Sequence, residues 1–153
     1  MDFVIAQPAQ AFVPVKGSKA TFPVHRIYCV GRNYAAHAIE MGGDPDRDPP
    51  FFFQKNPDNL VLDGAFPYPT ASKDVHHEIE LVVALGPEAR IFGYAVGIDM
   101  TRRDLQAIAK SGGKPWEQAK SFDHSAPISA IMPMGQALAR GAITLDVNGT
   151  RRQ

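Results

Sequence analysis

Glu78 and Glu80 stand two residues apart in His76-His77-Glu78-Ile79-Glu80-Leu81-Val82-Val83, a stretch that otherwise reads as a strand. On a strand, residues i and i+2 point to the same side. Two carboxylates aimed together from a half-buried segment repel each other and lose hydration. A hard divalent cation with oxygen ligands would offset both costs, and magnesium, manganese and calcium all suit such donors. The competing reading is a solvent-facing strand edge. A third carboxylate, Asp99, follows the apolar run Gly93-Tyr94-Ala95-Val96-Gly97-Ile98, where a strand gives way to a helix. Functional carboxylates often occupy such junctions, although Asp99 could also simply cap the helix.

The helix begins near Thr101, the expected N-cap, with Asp104 standing where a capping box places an acid. Arg103, Gln106 and Lys110 fall on one face of it. A cation, an amide and an ammonium together suit an anionic, carbonyl-bearing ligand; they equally suit a solvated face. Upstream, Arg26 to Val30 reads as a strand and Tyr34 to Met41 as a short helix with Asn33 at its N-cap and Gly42 at its stop. His37 and Glu40 meet at i, i+3 on that helix. A carboxylate beside an imidazole orients it and raises its basicity, which is how a general base for water is built. A surface ion pair has the same spacing. The polar, proline-bearing stretch 44–50 follows as either a mobile lid or a plain loop.

At 153 residues the chain is about one domain, with 44% hydrophobic residues and a formal net charge of +0. No basic block is present, which argues against nucleic acid or an anionic membrane as partner. No apolar run approaches the ~18 residues a spanning helix needs. A single cysteine, Cys29, forms no internal disulfide and fits a reducing cytoplasm. It sits in an apolar strand, where it reads as a small buried hydrophobe rather than a nucleophile. His76 and His77 face opposite ways on a strand, so His76 is expected to be exposed and His77 either to be structural or to support a metal ligand from behind. Asn148-Gly149 reads as a hairpin turn after the strand 143–147. The sequence carries no nucleophile elbow, phosphate-binding glycine loop, paired-cysteine zinc spacing or internal repeat.

Five segments in order, covering residues 26 to 130, resemble the fumarylacetoacetate hydrolase family, in particular its small acylpyruvate and fumarylpyruvate hydrolase branch. They are Tyr28-Cys29-Val30-Gly31-Arg32-Asn33-Tyr34-Ala35-Ala36-His37, Pro50-Phe51-Phe52-Phe53-Gln54-Lys55, His77-Glu78-Ile79-Glu80, Gly97-Ile98-Asp99-Met100-Thr101-Arg102-Arg103-Asp104-Leu105-Gln106 and Gly113-Lys114-Pro115-Trp116-Glu117-Gln118-Ala119-Lys120-Ser121-Phe122-Asp123. The resemblance implies an α+β, mostly β fold: a mixed β-sheet roll with few short helices, usually a homodimer. It implies a small N-terminal segment, 1–25, before a catalytic domain, 26–153. It also implies that Glu78, Glu80 and Asp99 bind Mg²⁺ or Mn²⁺, with Ca²⁺ a crystal substitute. His37 and Glu40 would activate water on a lid, and Arg103, Gln106 and Lys120 would hold the substrate's carboxylate and carbonyl oxygens. Lys120 would also stabilise the developing oxyanion, and Lys55 would lie near the substrate.

The implied reaction is hydrolysis of a carbon–carbon bond in a 2,4-diketo acid, fumarylpyruvate above all, within aromatic-compound catabolism. The same scaffold supports oxaloacetate decarboxylation and isomerisation of related diacids. The connection 86–93 is shorter than the family's, and the family domain runs on past Gln153 with further core strands and a substrate loop. That departure motivates a rival from another class, a non-catalytic metal-binding fragment.

Overall fold

A computed structural model describes residues 3–31, 49–135 and 141–153. The described residues form mostly short strands, with two short α-helices among them. The strands are β1 (Phe12–Pro14), β2 (Thr21–Pro23), β3 (Ile27–Gly31), β4 (Phe51–Lys55), β5 (Leu60–Val61), β6 (Val75–His76), β7 (Ile79–Leu85), β8 (Ile91–Ile98) and β9 (Thr101–Arg102). The helices α1 (Arg103–Ser111) and α2 (Glu117–Lys120) follow, then β10 (Ala126–Pro127), β11 (Met132–Pro133), β12 (Asp146–Val147) and β13 (Thr150–Arg151).

β7 and β8 form the longest ladder, antiparallel, with Ile79 opposite Ile98 and Glu80 opposite Gly97. A 3₁₀ turn, Pro87–Ala89, joins them, and Glu88 and Ala89 adopt positive φ there. β11 adds to the free side of β8, pairing Met132 with Tyr94. The ladder runs beyond β7: the Asp99 N–H donates to the Glu78 carbonyl at 2.8 Å. That bond places Glu78 beside Asp99 before any side chain is considered.

The core lies on one side of this sheet, where Ala84 and Ala95 meet Val13 of β1 and Ile131. Small side chains make this approach possible. A Cβ on Gly93 would collide with the Met132 carbonyl oxygen and come within 2.9 Å of Ile131 Cγ2. Leu81, Val83, Leu85 and Val96 occupy the other side and remain exposed. The N-terminal segment is thus part of the core, through Val13 and the Val15–Ile131 bridge.

The Asn148-Gly149 turn forms as expected: both residues have positive φ and join β12 to β13. Gln153 then clasps β7, its side-chain amide accepting from Ile79 N–H and donating to the Ile79 carbonyl, each at 3.0 Å.

Two local expectations are corrected. Thr101 does not cap α1. It pairs with His76 in β9, is fully buried, and leaves Arg102 at the N-cap with no side-chain cap bond. Asp104 reaches outward to Ser72 and Lys73. His76 is exposed, as expected, with Asp74 3.0 Å away, but His77 is exposed as well.

Candidate metal and substrate site

Lys120 sits at the centre of the site. Its ammonium donates to Glu78 Oε2 at 2.8 Å, Asp99 Oδ2 at 2.6 Å and Thr101 Oγ1 at 2.7 Å. The residue is 2% exposed. It reaches this point because α2 packs Ala119 inward and bonds back onto Trp116, so that the lysine at the helix end turns toward the end of β8. Its ammonium lies 5.0 Å from the centre of the Phe53 ring.

A second cation, Arg103, forms an ion pair with Glu78 Oε1 and donates to Gln106 Oε1 at 2.6 Å. Gln106 is buried. The first turn of α1 thus holds a guanidinium and a carboxamide in register at the rim of the same cluster. Lys110, on the same helix face, is exposed and does not share this burial.

Lys55 enters from β4. Its ammonium donates to the Met100 carbonyl at 3.2 Å and to the Lys120 carbonyl. It also lies 2.9 Å from Asp99 Oδ1. Burial pushes the Lys55 pKa below the ordinary lysine value, and the Asp99 charge opposes that shift. Cys29, across the β3–β4 ladder in register with Phe53, has its thiol pushed up to about 12 by burial first and then by the Asp99 charge. Glu80 raises it further, while both lysines lower it, so the thiol senses all four charged groups. Cys29 was expected to be buried and is instead half-buried.

Charged groups this deep cost several kcal/mol each in lost hydration unless their partners are well placed. Perturbed, buried ionisable clusters of this kind concentrate at functional sites. The donors available to a ligand are carboxylate and hydroxyl oxygens, which suit a hard cation. Asp99 Oδ1 is charge-paired with the Lys55 ammonium at 2.9 Å, and Asp99 Oδ2 and Glu78 Oε2 are paired with that of Lys120. Carboxylate oxygens that gather two ammonium groups at one point have the hard-donor chemistry that fits a divalent cation. The structure gathers Glu78 and Asp99 around one point. It does not draw Glu80 into a preformed set with them: among the described residues, no group of three His, Cys, Asp or Glu side chains is placed to hold a metal.

The family model for the C-terminal domain of fumarylacetoacetate hydrolase matches residues 26–153. The chain belongs to the fumarylacetoacetate hydrolase family. Among solved structures it resembles a fumarylpyruvate hydrolase from Pseudomonas aeruginosa, crystallised with Mn²⁺ and pyruvate. The two share 46% identity and a TM-score of 0.88 over 99% of this chain and 72% of that one. Among curated relatives, an oxaloacetate tautomerase of Escherichia coli is 37% identical over 90% of this chain and 69% of its own length. A Ralstonia fumarylpyruvate hydrolase is 44% identical over 67% of this chain and 60% of its own. The chain thus spans roughly two thirds of these relatives' length. The roll-type, mostly β fold expected from the resemblance is the fold observed.

For this family member, the structure brings together Glu78, Asp99, Arg103, Gln106, Lys120 and Lys55. His37 and Glu40, with the lid that would carry them, lie outside the described residues. One member of the cluster escaped the sequence reading. Thr101, taken for a helix cap, holds Lys120 from the third side. No local pattern marked it, because the chain turns a corner between Asp99 and Thr101, where Met100 N–H donates to the Ile98 carbonyl at 3.1 Å. Among the described residues no helix is long and apolar enough to cross a membrane.

Proposed function

We propose that this chain carries the metal and substrate site of a hydrolase that cleaves a carbon–carbon bond in a 2,4-diketo acid, with fumarylpyruvate as the best single substrate. The likeness to a fumarylpyruvate hydrolase that holds Mn²⁺ and pyruvate carries this reading. Glu78, Glu80 and Asp99 would hold a divalent cation, Mg²⁺ or Mn²⁺, on the strength of the family resemblance, and it would supply Lewis acidity at the substrate oxygens. Arg103 and Gln106 hold the substrate's carboxylate end. Lys120 directs its ammonium at the carbonyl oxygen that becomes an oxyanion. His37, oriented by Glu40, takes the proton from the attacking water. The assembly is a cytoplasmic homodimer on this reading, which rests on the resemblance and on the single cysteine.

A second reading, oxaloacetate decarboxylation or tautomerisation, is favoured by the relatives that carry those names. It needs the same cation and carboxylate clamp without an activated water. Turnover of fumarylpyruvate, acetylpyruvate and oxaloacetate with Mg²⁺ or Mn²⁺ separates the two. Release of pyruvate from the first two supports hydrolysis. Action on oxaloacetate alone supports the second reading, and no turnover of any supports a non-catalytic metal-binding fragment.

A further inference from the structure

The resemblance places Lys55 beside the substrate, but its surroundings assign it other work. Lys55 is 3% exposed, deeper than Arg103 or Glu78. Its ammonium is committed inside the protein, to the Met100 carbonyl, the Lys120 carbonyl and the Asp99 carboxylate. These three partners belong to the two segments that make the site. Asp99 and Met100 form the corner where β8 ends, and Lys120 ends α2. β4 itself is tied to β3 along its whole length, so the lysine stem starts from a fixed base. Ser121 adds a second tie in the same place, its hydroxyl accepting from Asn56 N–H, the residue after Lys55, at 3.0 Å.

We infer that Lys55 is a positioning residue. It pins the Asp99 carboxylate and the end of α2 to β4, and so fixes where the Lys120 ammonium and the Asp99 oxygens point; it does not itself touch substrate. The physical reason is geometric. The Lys120 backbone is tied at its N–H to the Trp116 carbonyl and at its own carbonyl to the Lys55 ammonium, so Lys55 supplies one of the two bonds that aim its side chain at Glu78, Asp99 and Thr101. A group that fixes a metal ligand from behind typically contributes 10–100-fold to metal affinity, and for Lys55 that gain outweighs the repulsion between its ammonium and a bound cation. This inference rests on Asp99 being a metal ligand, as proposed above.

Lys55→Met keeps the stem and removes the charge. In the full 153-residue chain, Mn²⁺ titrated by calorimetry should bind about 10–100-fold more weakly to Lys55→Met than to the unaltered protein. The Mn²⁺ electron paramagnetic resonance spectrum should broaden as the ligand field loses definition. Pyruvate affinity, measured at saturating Mn²⁺, should stay within about twofold of the unaltered value, since positioning acts on the ligand set and not on the substrate. Unchanged Mn²⁺ affinity with lost pyruvate binding would make Lys55 a substrate contact and overturn the inference. Unaltered protein that binds no Mn²⁺ would instead sink the metal reading.

A measurement on the unaltered protein decides the matter even if the variant does not fold. In ¹⁵N-resolved NMR with Mg²⁺, the Lys55 ammonium should give a signal protected from solvent exchange. Pyruvate should move the Lys120 signal and leave that of Lys55 in place. A Lys55 signal that exchanges freely, or that shifts with pyruvate as Lys120 does, would refute the positioning role.

Discussion

Asp104 accepts hydrogen bonds from the Ser72 hydroxyl at 2.8 Å, Lys73 N–H at 3.1 Å and Leu105 N–H at 2.9 Å. These bonds favour the charged carboxylate, and the Lys73 and Ser72 bonds chiefly hold its pKa below the ordinary value of 3.8. A carboxylate whose folded pKa is depressed stabilises the fold above its unfolded pKa, and the contribution disappears as pH falls through the folded value. Urea midpoints measured from pH 6 down to pH 2 should therefore fall more steeply for the unaltered protein than for Asp104→Asn, which has no proton to gain. Parallel curves would show that the loop at Ser72 is held by other means. Cys29 offers a second test on single residues. With its thiol pushed up to about 12, the folded protein carries almost no thiolate at pH 8. Iodoacetamide should label it on the order of a thousandfold more slowly than the denatured chain, whose thiol has an ordinary pKa near 8.5. Comparable rates would mean that the strand pair opens readily around it. At this scale Glu78 and Asp99 were legible because their chemistry clashes with their apolar neighbours; Glu80 drew the same attention but is not gathered with them, and Lys120 was reached through the family resemblance. The role of Lys55 was not legible, because nothing local in Phe51-Phe52-Phe53-Gln54-Lys55 says that its ammonium meets the end of a helix 65 residues later.

The β7–β8 ladder shows where pattern reading stops at the scale of elements. Both strands were recognisable from their apolar residues. The side they bury was not, since Leu81, Val83 and Val96 are as apolar as the residues that face the core. When both faces of a strand are apolar, alternation carries no information about which is covered. The choice is made by the partners: β1 and the Ile131 segment need close approach, and the side with Gly93, Ala84 and Ala95 allows it. Thr101 was misread for a related reason. A threonine before an amphipathic run signals a cap only when its backbone is free, and here the backbone is engaged with His76. Gly93→Ala tests the close approach. The added methyl would strike the Met132 carbonyl, a backbone atom that cannot rotate away. Overpacking of this kind costs about 1–3 kcal/mol. Gly141→Ala is the control, because its Cβ would meet nothing within 4 Å among the described residues. Equal denaturation midpoints for the two variants would refute the packing of β11 on β8.

The segment before Arg26 raises the question of how many folding units the chain contains. The matched family region starts at residue 26, and the sequence alone separates a leading segment from a catalytic domain at that point. The structure joins them. Val13 is 1% exposed and packs with Ala84, Ala95 and Ile131, while Lys16 N–H donates to the Ile131 carbonyl at 2.8 Å. The other end of the molecule carries its own reporter. Trp116, the sole tryptophan, stacks near Phe51 and Phe53 with ring centroids 4.8 and 6.1 Å away, next to the helix that bears Lys120. If the chain unfolds as one unit, a cavity at Val13 must lower the transition seen at Trp116 as well. Truncating a buried aliphatic side chain removes its transfer energy and leaves a void, which for Val13→Ala costs about 1–3 kcal/mol. Urea unfolding of Val13→Ala, followed by Trp116 fluorescence and by far-ultraviolet circular dichroism, should show both midpoints shifted down together, with the slope unchanged. A Trp116 transition that stays in place while the circular dichroism signal shifts would make residues 11–24 an independent cap. In that case the sheet that positions Glu78 and Asp99 would owe none of its stability to the segment outside the family match.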